Sequence, residues 1–69
     1  MKTWKVILHY SSYSKKRGSI QKRVILVKDL ISMDSATVWI MVNHPNAIKI
    51  SENRFQDDGF IYPNIYEIK

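Results

Sequence analysis

Apolar and polar residues alternate through "KTWKVILHYSS": Trp4, Val6, Leu8 and Tyr10 fall on one face, with Thr3, Lys5 and His9 between them. That period of two is the signature of a half-buried strand, and Ile7 is its one departure. A second run, "SIQKRVILVKD", is rich in β-branched residues and predicts another strand. Its face cannot be assigned, because Val24 and Leu26 oppose Ile25 and Val27 in an unbroken apolar block. The polar segment between the runs contains Gly18, which can supply a positive φ, so the simplest join is an antiparallel hairpin with a fairly long loop.

The segment "LISMDSATVWIMVNHPNA" supports two readings. As a helix it starts at Ser32 as N-cap, places Asp34 in the first turn where a negative charge complements the helix dipole, and stops near Asn43 before Pro45. Met33, Ala36, Thr37 and Ile40 then share one stripe. As a strand, "TVWIMV" is mostly β-branched or aromatic and fits a buried central position. Propensity favours the strand, whereas the caps and the span of about eleven residues favour the helix; the helix is adopted.

After the "NHPN" break, "AIKISENRF" alternates around Ile48 and Ile50, and "DDGF" contains an Asp-Gly pair suited to a tight type I′ turn. A second hairpin follows, returning through "FIY" or "FIYPNIYEI". Pro63 has no amide hydrogen to give to a ladder and is expected at an edge or bulge. The predicted architecture is one α+β domain over residues 1–69, an antiparallel sheet of two β-hairpins with one helix on a face (ββαββ). A small all-β barrel is the alternative.

Length and composition narrow the picture. A chain of 69 residues, 45% hydrophobic and 25% charged, is one ordinary globular domain with a modest core, burying only about 60% of its unfolded surface. With no cysteine, neither a disulfide nor a thiolate metal site reinforces that core. The apolar run behind Lys2 and Lys5 is too short for a signal peptide, and "VWIMV" falls far short of the roughly 20 residues of a membrane span. A cytosolic protein is expected.

Charge adds a sharper feature. Residues 1–28 carry Lys2, Lys5, Lys15, Lys16, Arg17, Lys22, Arg23 and Lys28 with no acid, a charge of +8. Residues 29–69 carry Lys49, Arg54 and Lys69 against Asp29, Asp34, Glu52, Asp57, Asp58 and Glu67, a charge of −3. Such lopsidedness speaks to binding and steering. Within "SSYSKKRGSIQKR", Lys15, Lys16 and Arg17 at the tip, with Lys22 and Arg23 entering the second strand, form a cationic finger. Tyr13 beside them is placed to stack on a base or fill an apolar pocket.

Catalytic chemistry is not legible in the sequence. His9 reads as a solvent-side strand residue, and His44 as the closure of the helix end. Asp57 and Asp58 read as turn chemistry, since the following residues lack the side-chain oxygens of a calcium loop. No nucleophile motif or glycine-rich phosphate loop is present, so no enzymatic activity, cofactor or metal is expected. Trp4, Trp39 and Phe55 are expected in the core. Tyr62 and Tyr66, near Pro63, are expected on an edge strand where they can dock on a partner.

In scale and layout the whole chain resembles the small accessory proteins that phages and mobile elements direct against host machinery, including anti-CRISPR and antitoxin-like inhibitors. The resemblance lies in the general plan of hairpin, helix and further strands, and no residue role follows from it. It implies a non-catalytic protein-binding module that docks on a larger protein or nucleoprotein complex; the basic hairpin and the aromatic edge supply the candidate docking residues, Tyr13, Lys15, Lys16, Arg17, Lys22, Arg23, Tyr62 and Tyr66. The alternative is a small nucleic-acid-binding protein using the same hairpin on phosphates. The chain lacks the signatures of an RNA-recognition sheet, a zinc finger or a helix-turn-helix, so weak nucleic-acid affinity and a tighter protein partner are expected.

Overall fold

The computed structural model describes residues 3–59 and 61–69. Lys2, counted in the charge above, and Phe60, the expected start of the return strand, lie outside the described residues. The elements run β1 (Trp4–Ser14), β2 (Ser19–Leu30), α1 (Met33–Asn43), β3 (Ile48–Ser51), β4 (Arg54–Asp57) and β5 (Asn64–Ile68). They form one antiparallel sheet in the order β2-β1-β5-β4-β3, with the helix on one face. The α+β class is as expected. The barrel alternative is not realised, because β2 and β3 remain open edges.

The helix occupies the boundaries that its capping chemistry dictates. Ser32 is extended (φ −149°, ψ 162°), and its Oγ accepts the Ser35 amide at 3.0 Å, satisfying one of the orphan donors of the first turn. At the other end the His44 amide donates to the Ile40 carbonyl at 2.7 Å, closing the last turn ahead of Pro45. Ala36 and Ile40 point into the sheet and are buried, with Met33 packed beside them, as the predicted stripe requires.

The core forms where α1 lies across the sheet. Val6, Phe55, Tyr66 and Ile68 are buried beneath Ala36 and Ile40, and Trp4, Leu8, Leu30 and Trp39 pack around them. Residues directly opposite on neighbouring strands share a face. The pairs Trp4 with Leu30, Leu8 with Tyr66, and Phe55 with Tyr66 therefore define the helix side. A β-bulge explains the unassignable "VILV" block. Val6 pairs with Lys28 while Ile7 pairs with Leu26, which leaves Val27 as the extra residue. Val27 packs against the core, Ile25 shares the Leu8 face, and Val24 and Leu26 lie on the open face opposite His9 and Ile7.

The second half departs from the two-hairpin layout. The expected single strand "AIKISENRF" turns at Glu52 and Asn53 to give β3 and β4. A register shift between Lys49 and Ser51 accommodates a turn in which no non-glycine φ is positive. Asn53 ties this turn to β5: its carbonyl accepts the Ile68 amide at 2.8 Å, and its Nδ2 donates to the Ile68 carbonyl at 3.3 Å. The Asp-Gly pair does not close a tight hairpin. It lies in a longer connection between β4 and β5, where the Gly59 amide donates to Asp57 Oδ1 at 2.9 Å. Gly59 has φ +61°, and a Cβ there would collide with the Tyr62 carbonyl oxygen. Gly59→Ala is accordingly expected to cost about 2 kcal/mol or more, read as a lowered midpoint in urea. A midpoint equal to that of the parent would contradict this backbone assignment.

Pro63 ends the connection, and the chain then enters β5 between β1 and β4. This non-local insertion joins the two halves of the sheet. Among the described residues no helix is long and apolar enough to cross a membrane.

Candidate partner-binding surface

The N-terminal hairpin outruns the rest of the sheet. β5 pairs with β1 only from Val6 to His9, so along residues 10–14 the strand paired with β1 is β2. The twelve residues of β2 span about 40 Å at roughly 3.3 Å each, in keeping with the 42 Å longest dimension of the molecule. The ribbon closes through residues 15–18, where Gly18 at φ +66° donates its amide to the Ser14 carbonyl at 2.8 Å. Ser14 Oγ accepts the Arg17 amide at 3.3 Å, and the Arg17 guanidinium reaches Gln21 Oε1 at 3.4 Å. Local backbone chemistry thus holds the tip with the side chains of Lys15, Lys16 and Arg17 in solvent.

All five finger cations are exposed. None takes part in an ion pair among the described residues, where the pairs join Lys5 to Asp29 at 2.9 Å, and Arg54 and Lys69 to Glu67 at 3.1 and 3.6 Å. Those acids neutralise cations at the other end of the molecule. Along β2 the pleat sends Lys22, opposite Ser11, and Arg23, opposite Tyr10, to opposite faces. The positive charge therefore wraps the ribbon.

Tyrosines flank it. Tyr13 is 54% exposed opposite Ile20. Half-buried Tyr62 sits beside β1, where it lines a groove of about 460 Å³ with Tyr10, Tyr13, Lys15, Ile61 and Asn64. It also lines a second groove of about 360 Å³ with Lys22, Arg23 and Val24. Of the expected site residues, Tyr13, Lys15, Lys16, Arg17, Lys22, Arg23 and Tyr62 share this end of the molecule.

Tyr66 does not join them. β5 is an interior strand, and Tyr66 is buried in the core. The expectation of an edge position failed because sequence gives no sign that the last strand inserts between the hairpins. The Tyr66 hydroxyl donates to Asp57 Oδ2 at 2.9 Å and lies 3.1 Å from His44 Nδ1, whose ring packs on the phenol at 4.4 Å between centroids. Burial first, then the hydrogen bond and charge of Asp57, push the phenol up to about 12. In an ultraviolet alkaline titration, Tyr66→Phe is expected to remove a phenolate component near that pH. An unchanged high-pH component would contradict the assignment.

Sequence reasoning also passed over Glu67, a lone acid in an apolar strand. It is buried on the open face of the sheet, receives Arg54 Nη2 at 3.1 Å, and lies 3.0 Å from His9 Nε2. His9 is therefore a half-buried partner of this carboxylate as well as a solvent-side residue. Burial alone would raise the Glu67 carboxyl, but the His9 and Arg54 hydrogen bonds and the Lys69 and Arg54 charges outweigh it and hold the group below the usual range. A depressed folded-state pKa gives stability that is present at neutral pH and lost as pH falls through the acid range. Glu67→Gln is expected to cost about 1–3 kcal/mol at neutral pH, with a smaller deficit in acid. An equal deficit at both pH values would exclude the charge as its source.

Among the described residues there is no group of three or more acidic or histidine side chains able to hold a metal ion. Asp57 is spent on Gly59, Asn64 and Tyr66, which is turn and core chemistry. What the ribbon offers is positive charge, aromatic rings and a strand edge that no other strand covers among the described residues. Comparison of the chain with protein families, curated proteins and solved structures returns no match.

Proposed function

We propose that this protein is a non-catalytic binding module that docks its β1–β2 ribbon onto an acidic surface of a larger protein or nucleoprotein complex and acts by occluding it. This is the mode of action that the resemblance to small accessory inhibitors implies. The observation that carries the reading is the set of five exposed cations at one end, without carboxylate partners among the described residues. What favours protein over nucleic acid is the apolar surface among those charges: Val24 is 65% exposed, Leu26 51% and Ile25 44%. A phosphate backbone gains little from such side chains, whereas the centre of a protein interface is built from them.

The test is capture from lysate of the source organism with and without nuclease, using the parent chain and a Lys15→Ala/Lys16→Ala/Arg17→Ala variant. A protein retained after nuclease treatment and lost with the variant is the expected result. Capture that nuclease abolishes, together with sub-micromolar and salt-steep binding of bare DNA or RNA, would reverse the choice in favour of the nucleic-acid reading.

A further inference from the structure

β2 is a long strand at the edge of the sheet, paired on one side only among the described residues. Such an edge presents a row of unpaired backbone donors and acceptors, and proteins protect it with charge, bulges or cover. Here the protection is partial. The bulge at Val27 interrupts the run, leaving residues 19–26 as a regular stretch whose side chains are almost all exposed.

The geometry points to this stretch as a receptor for an added strand from a partner, with acidic residues opposite Arg23 and Lys22 and apolar residues opposite Leu26, Ile25 and Val24. The inference rests on the reading of the ribbon as the docking element and specifies how it docks. In an antiparallel addition the partner strand reads, from its N-terminus, three apolar residues followed by two acidic ones. Main-chain hydrogen bonds supply affinity, and the side chains opposite select the sequence. Lys22 and Arg23 point to opposite faces, so two consecutive acids answer them one on each side.

Charge complementarity chooses this occupant over a second copy of the chain. A symmetric antiparallel pair of strands places some residue opposite its own copy. For all but one of residues 19–26 to pair within the stretch, that residue is Lys22 or Arg23. Like charges directly opposite are destabilising. The features that guard the edge against self-association therefore admit an acidic strand.

The test titrates the ¹⁵N-labelled full chain with a capped Val-Ile-Val-Glu-Glu-Thr peptide, following amide shifts and hydrogen exchange. Expected are shifts and new exchange protection within residues 19–26, and a loss of about tenfold in affinity when the alternate peptide amides that face β2, rather than those on the outer edge, are N-methylated. A Lys22→Glu/Arg23→Glu variant is expected to reject this peptide and accept its lysine-for-glutamate counterpart. Shifts confined to Lys15, Lys16 and Arg17 and indifferent to N-methylation would overturn strand addition while leaving the charged ribbon as docking element. No protection along β2 at millimolar peptide, or a dimer of the chain alone paired through β2, would also overturn it. Loss of lysate capture in the tip variant is scored separately, so failure of strand addition is distinguishable from failure of the docking reading.

Discussion

Replacing Ile40 with alanine is expected to remove about 3–4 kcal/mol of stability. Ile40 is fully buried at the point where the helix meets the sheet, and truncation there loses both the transfer free energy of the side chain and the packing around the cavity left behind. A chain of 69 residues has only about 3–10 kcal/mol to lose at typical values per residue. At roughly 4–8 °C per kcal/mol, the melting temperature should fall by at least about 12 °C. Val42, on the same helix but 71% exposed, serves as the control, and Val42→Ala should change stability by less than about 0.5 kcal/mol. Equal effects at the two positions would mean that the helix does not present this face to the sheet.

The second large effect concerns binding. A variant with Lys15, Lys16 and Arg17 replaced by serine, and Lys22 and Arg23 by threonine, keeps the β-propensity of the strand positions while removing the finger's charge. Exposed ion pairs are worth about 0.2–1 kcal/mol each, and close interfacial pairs at least about 1.5. Five sites together should weaken partner binding by about 3–4 kcal/mol, on the order of 100- to 1000-fold. The melting temperature should hold or rise, because none of the five is in an ion pair among the described residues and clustered like charges repel in the folded state.

The helix and the first hairpin were legible because their signals are local. Ser32, Asp34 and Pro45 announce the ends of α1 within a few residues of the backbone groups they serve. The charge of the finger was legible because composition along a chain needs no fold. The split of β3 from β4 was not, since "SEN" contains neither glycine nor proline and the turn is held by Asn53 reaching β5. The position of Tyr66 was lost with the same strand: insertion between β1 and β4 is a tertiary choice that no short-range pattern records. "VILV" resembles a buried run, yet three of its four residues are exposed, because the bulge turns only Val27 to the core and the strand lies at the edge. Because its face could not be assigned from sequence, the apolar component of the candidate surface, which bears on the choice between a protein and a phosphate partner, stayed hidden.

The central claim is that the ribbon's cations, which have no carboxylate partner among the described residues, bind an acidic protein surface while contributing nothing to folding. Its most direct test is a calorimetric titration of the nuclease-resistant captured protein with the parent chain and the five-site variant, alongside their melting curves. The account predicts affinity lower by two to three orders of magnitude at an unchanged or higher melting temperature. Equal affinities, or a loss of binding that merely follows a loss of folding, would contradict it.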